Sequence, residues 1–213
     1  MKILFVTWDG PQVNYLQTLF LPIFARLGDH GVQVDVLQFG WGSAADSEAT
    51  GALCARAGCG YRSATIRRGL GGLGPFMSAC AGGIEVRRSV RTFDSDVMMP
   101  RSHMPAIAVG AAGGNRFRPV LFDADGFPAD ESVELGFMSA GGPTYRILRQ
   151  IEARAVRSAA SVIVRSSAAA QILSERADIG LQRFHVVSNG RDESVFHPHD
   201  ERDRFAARSE LGI

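Results

Sequence analysis

VSNGRDESVFHP, Val187–Pro198, closes a series of short apolar runs and opens a charged tail. What the chain folds into depends on how that boundary is read. Asn189-Gly190 is a pair that turns readily through positive φ, and Pro198 stiffens the exit. Beyond it, HDERDRFAARSELGI is charged, with too few apolar residues for a core of its own. The folded unit should therefore end near Asn189, giving a domain over 1–190 and a separate segment over 191–213.

Working back from that point, seven apolar runs recur: KILFVT, VQVDVLQF, YRSATI, SDVMMP, RPVLFD, ASVIVRS and RFHVVS. Segments with helical spacing separate them, seen in Tyr15, Leu19, Ile23 and Leu27 and in Ile147, Ile151, Ala155 and Ala159. Strands alternating with helices predict an α/β fold, a Rossmann-like doubly wound, mainly parallel sheet of about seven strands. The four spaced residues on each helix are expected to cover the sheet. Pro22 lacks a backbone donor and disfavours helix at Leu21, so a kink or restart is expected there.

The composition narrows the classes of function. The 213 residues carry 46% hydrophobic and 21% charged side chains, enough to bury one core. A net charge of +1 makes no large field that would recruit nucleic acid or an anionic membrane, although Arg62, Arg67, Arg68, Arg87, Arg88 and Arg91 make the middle locally basic, most of them as a solvated face. MKILFV is too short for a signal peptide, and LQTLFLPIFARL is far below the roughly 20 residues that span a bilayer. Three cysteines, Cys54, Cys59 and Cys80, fit neither a disulfide framework nor a zinc spacing. Reduced thiols in a cytoplasm are expected.

Doubly wound sheets bind ligands at the carboxyl ends of their strands. That rule selects Trp8–Tyr15, Pro100–His103, Asp123–Glu131, Ser166-Ser167 and Ser188–Arg191. Three motifs compete with it. RGLGGLGPF holds G-x-G-x-x-G at Gly69, Gly71 and Gly74, but on the third unit of the fold and after YRSATIRR, a poor setting for dinucleotide binding. VLFDADGF resembles the nucleophile motif of haloacid dehalogenase phosphatases, with Asp123 attacking and Asp125 as acid/base. That chemistry needs a downstream basic residue, usually lysine, and a late acidic pair, whereas no lysine follows Lys2 and no strand-end acidic pair follows Glu131. Asp123 and Asp125 are better taken as loop-end carboxylates, one turning the chain and one facing the cleft. His197-Pro198-His199 lacks a rigid third ligand, so no metal site is expected.

In order and spacing, the strand-end loops resemble the N-terminal domain of the family 4 glycosyltransferases, which have the two-domain GT-B fold. VVSNGRDESVFHP has Asn189, Gly190, Asp192, Phe196 and Pro198 where that family crosses from its first domain to its second. RQIEARAVRSAASVIVRSSAAAQIL, DADGFPADE and MKILFVTWDGPQVNYL resemble further pieces, with Gly10-Pro11 where many members have two glycines. The resemblance implies transfer of a sugar, with retention, from a nucleotide-sugar donor to an acceptor hydroxyl. It also implies that residues 191–213 are the hinge and the start of a C-terminal domain that holds most of the donor. On this basis the chain is the acceptor-side half of an enzyme and is inactive alone. It needs no resident cofactor.

Roles implied by the resemblance follow residue by residue. Gly10, Pro11, Gln12, Ser166, Asn189 and Gly190 would border the donor phosphates and the interdomain cleft, Gly10 alternatively being an ordinary turn. Arg101 or His103 would occupy the catalytic slot after the fourth strand, with Asp123 beside it; Arg101 is equally open to a structural role, satisfied by carbonyls or by Asp125. Tyr15, Asp125 and Glu131 would meet a sugar or lipid-linked acceptor, Tyr15 alternatively being core. The basic middle lies where some relatives touch an anionic membrane, so peripheral contact with the inner face of the cytoplasmic membrane is a further expectation. The alternative of a different class is a non-catalytic Rossmann-like module that binds a nucleotide or sugar.

Overall fold

A computed structural model describes residues 1–67, 73–188, 190 and 201–212. In chain order the elements are β1 (Lys2–Trp8), a π-helical turn (Leu16–Phe20), α1 (Leu21–Asp29), β2 (Gln33–Gly40), α2 (Ala44–Arg56), β3 (Tyr61–Thr65), α3 (Leu73–Ala81) and α4 (Gly83–Phe93). Then come β4 (Val97–Pro100), α5 (His103–Ala111), β5 (Leu121–Asp123), α6 (Pro128–Glu134), α7 (Pro143–Ser158), β6 (Ser161–Val164), α8 (Ser167–Ala177), β7 (Phe184–Val186) and α9 (Glu201–Leu211). Each of the seven apolar runs forms a strand. Most of the stretch Val187–Pro198 lies outside the described residues, as do Gly69 and Gly71 of the glycine-rich motif and both histidines of the tail.

A four-stranded ladder ordered β3-β2-β1-β4 and a three-stranded one ordered β5-β6-β7 are parallel throughout. Two isolated parallel bridges, Met98 with Val120 and Arg101 with Asp123, join β4 to β5. The result is one twisted layer in the order 3-2-1-4-5-6-7. Its direction of winding reverses between β1 and β4, and a crevice opens there beyond the strand ends.

Helices cover both faces, so the central strand is apolar without interruption. Leu4 and Val6 face the cluster that includes Phe39, Met98, Phe122 and Val164, while Ile3 and Phe5 face Phe20, Phe24, Val36 and Cys54. The Phe5 ring lies 4.8 Å from that of Phe20 and 5.1 Å from that of Phe24.

Pro22 does force a restart. Leu21 N–H bonds back to Leu16 O, five residues away, and α1 begins there with Pro22 in its first turn. The wider turn rotates the helix, and this corrects half of the expected face: Leu19 is buried and Leu27 packs against the core as expected, with Leu16, Phe20, Leu21 and Phe24 beside them, whereas Tyr15 and Ile23 are exposed. On α7 the expected stripe holds at Ala155 and Ala159, which pack into the core, but not at Ile147, which is exposed. Glu152 is buried on this helix, held by arginines. No residue of α9 is buried.

Candidate functional site

The crevice is built on one buried carboxylate. Asp123, the last residue of β5, is fully buried and accepts from Arg165 Nη2 at 2.7 Å and from Arg101 Nη1 at 3.5 Å. Arg101 Nη2 also donates to Asp125. Burial raises the Asp123 pKa, against the pull of Arg165 and then Arg101. Both its oxygens face guanidinium groups, which is not the exposed carboxylate that a phosphatase nucleophile requires. Of the expected pair, Asp123 is the structural carboxylate and Asp125, about one-third exposed at its side chain, faces outward.

Arg101 stands at the middle of this cluster. Its guanidinium carbon lies 4.5 Å from the Phe20 ring centroid and 5.7 Å from that of Tyr15, a cation over two aromatic faces. Tyr15 is 52% exposed and so belongs to the crevice rather than to the core. Ser102 follows with φ 67° and ψ −169°, a conformation essentially confined to glycine. It is pinned by its N–H to Asp123 O at 3.0 Å, and it sends Arg101 to the carboxylates and His103 into the helical layer.

His103 is therefore turned away from Arg101 and lines a small cavity shared with Asp125, Gly126 and Glu152. It is 6% exposed, its Nε2 lies 3.9 Å from Glu152 Oε1 with no hydrogen-bond partner, and burial, helped by Arg149, pushes its pKa down to about 4. Glu152 Oε2 accepts from Arg149 at 3.2 Å and Arg176 at 3.3 Å, and the same two arginines bond Asp130 Oδ2 at 3.1 and 2.8 Å. Burial pushes Glu152 up to about 7 against the pull of Arg149. This network ties α5, α6, α7 and α8 together behind the Asp123 cluster.

Other expected residues act locally. A Cβ on Gly10 would lie 2.3 Å from the Trp41 ring, so packing alone demands glycine there; Pro11 and Gln12 are exposed. Ser166 caps α8 through Ala169 N–H at 3.1 Å. Glu131 turns back onto Phe127 N–H at 2.9 Å, and its Oε1 lies where a Cβ on Gly126 would fall. Gly190 is exposed, and Asn189 lies outside the described residues.

Two participants escaped the sequence. Arg165 sits 42 residues from Asp123, beyond any local pattern. Asp9, in the first strand-end loop, was within reach: the strand runs directly into Trp8-Asp9-Gly10. Thr7 Oγ1 donates to it, and burial raises its pKa against Thr7 and Arg101. Among the described residues no group of three or more His, Cys, Asp or Glu side chains could hold a metal ion, and no helix is long and apolar enough to cross a membrane.

Comparison with known proteins completes the picture. A family model described as a glycosyl transferase 4-like domain matches residues 17–190. No curated protein matches the chain. Among solved structures, HepE from Anabaena in complex with UDP is 19% identical with a TM-score of 0.62, over 100% of this chain and 50% of that one. The lipopolysaccharide outer core galactosyltransferase WaaB in its apo form is 14% identical at TM-score 0.62, over 95% and 50%. A UDP-GlcNAc 2-epimerase from Neisseria meningitidis bound to UDP-GlcNAc is 13% identical at 0.58, over 89% and 46%. Identities this low speak to the fold alone, and the chain spans about half the length of each of these proteins. The strand order, the crevice at the β1/β4 reversal and the match over 17–190 agree: the chain belongs to the glycosyl transferase 4-like domain family and has the Rossmann-like fold of the N-terminal half of a GT-B glycosyltransferase.

Proposed function

We propose that this chain is the acceptor-side half of a retaining glycosyltransferase of the hexosyltransferase class, which moves a sugar from a nucleotide-sugar donor to an acceptor hydroxyl. The observation that carries the proposal is the family match over residues 17–190. HepE with UDP and glucose, of which this chain covers half at 20% identity, supports a nucleotide-sugar donor. Residues 1–190 form the acceptor-side domain, and 191–213 lead into a second domain that holds most of the donor.

In this assignment the Arg101–Asp123–Arg165 unit is the rigid floor of the interdomain cleft. Asp125 and Tyr15 present a carboxylate and an aromatic face to the acceptor. Arg101 is neutralised by two carboxylates, so it positions Asp125 rather than clamping a phosphate. The protein works in the cytoplasm, in glycan or glycolipid synthesis, touching the inner face of the membrane peripherally. Exposed Met77 and Ile84 beside Arg67 and Arg88 on the α3–α4 side support that contact.

The test compares residues 1–213 with the product of the whole reading frame, following release of nucleoside diphosphate from a panel of nucleotide sugars. Release by the longer product and none by residues 1–213 is expected. A longer product that turns over no nucleotide sugar overturns the proposal.

A further inference from the structure

A second cavity lies away from Arg101. Between the loop after β1, the carboxyl ends of β2 and β3 and the first turns of α2 is an open pocket of about 220 Å³. Its polar lining includes Asp9, Gln17, Gln38, Asp46, Thr50 and Ser63; among the described residues no arginine, lysine or histidine lines it.

The lining is organised before any ligand arrives. Gln38 Oε1 accepts the Tyr61 hydroxyl at 2.6 Å. The Thr50 hydroxyl donates to Asp46 O at 2.9 Å and accepts from Gln17 Nε2 at 3.4 Å. Gln17 Oε1 is left buried beneath this lining with no hydrogen-bond partner. Asp46 is held in its charged form, its pKa lowered by Ser43, whose hydroxyl and N–H donate to it at 2.8 and 2.7 Å.

Size and charge select the occupant. A nucleotide needs more room, since pockets for drug-sized ligands run from about 300 Å³ upward, and its phosphates would find no cationic partner. Two carboxylates with no cation beside them call for a ligand rich in donors, and repel an anion. We propose that this pocket takes one uncharged or amino-substituted sugar ring, the ring of the acceptor, and excludes uronates and phosphosugars. Asp9 and Asp46 meet its hydroxyls or ammonium. The inference rests on the glycosyltransferase assignment and deepens it, because Asp9 also lies within electrostatic reach of Arg101 and Asp125.

The 213-residue chain, titrated with D-glucosamine, D-glucose and D-glucuronate under amide NMR, tests it. Glucosamine and glucose should shift Gly10, Thr50 and Ser63, with dissociation constants on the order of 1 mM, and glucosamine should bind more tightly. Glucuronate should bind at least ~10-fold more weakly, about 1.4 kcal/mol. Asp9→Asn should reduce the glucosamine preference, and Ser63→Phe, which fills the pocket from an exposed strand position, should abolish binding with the spectrum otherwise intact. Glucuronate binding as tightly as glucosamine overturns the inference, as does the absence of shifts at those amides. The two assignments fail separately. Donor turnover by the longer product with no sugar bound in the pocket overturns the subsite alone, and sugar binding without turnover of any donor overturns the transferase alone.

Discussion

Asp123 shows how one side chain organises the crevice. Fully buried and held between Arg101 and Arg165, it is tolerable only because both guanidinium groups reach it. Asp123→Ala leaves two cations facing a hole and should cost about 3–5 kcal/mol in urea denaturation; a loss below ~1 kcal/mol would mean that the pair is solvated. His103 supplies a second prediction, with a defined sign. Its folded pKa of about 4 lies below the ordinary 6.5, so the unfolded chain takes up the proton first. The stability that neutral His103 provides is complete above pH ~6.5 and is lost as pH falls toward ~4, by up to ~3 kcal/mol. The unfolding free energies of wild type and His103→Gln, compared across that window, should diverge by that amount, wild type losing more. Parallel pH profiles would refute it. Neither environment could be read from the chain. His103 and Arg101 are two residues apart, and only the strained backbone of Ser102 decides which of them faces the crevice.

The helices carry the next layer of specification. The alternation was legible because a central strand covered on both faces must be apolar throughout, as Ile3–Val6 is, while the partly exposed β3 and β7 were marked by their place in the series of seven runs. Helix faces were less legible. The π turn before Pro22 rotates the first helix, so that a spacing drawn through Tyr15 and Ile23 selects its exposed side. Where two helices meet closely the requirement is steric. A Cβ on Gly83 would lie 2.8 Å from the backbone of Ala111 and Ala112, where α4 meets the end of α5. Gly83→Ala gains helix propensity of about 1 kcal/mol, yet it should lower stability by ~1–3 kcal/mol because backbone cannot yield as a side-chain tip would. Thermal unfolding decides it, and an unchanged or raised midpoint would show that the helices can separate freely.

For the whole molecule, the order 3-2-1-4-5-6-7 places its crevice between the loops after β1 and β4, where Asp9 and Arg101 stand. The proposed membrane contact belongs to this scale. Sedimentation with vesicles containing anionic phospholipid should carry down more chain than neutral vesicles do, and Arg67→Glu with Arg88→Glu should weaken that binding ~10-fold or more, at ~1 kcal/mol for each arginine near the surface. Equal binding to neutral vesicles would remove electrostatics from the contact. By itself the sequence determined the alternation of strands and helices, the restart at Pro22 and the strand-end loops to inspect, because periodicity and backbone donors are local properties. Only the tertiary structure decided that Asp123 is locked between arginines 22 and 42 residues away, that His103 is turned inward and that Asp9 opens onto a pocket. Burial and charge pairing arise from strands that meet across the sheet, and no local pattern encodes which strand ends become neighbours.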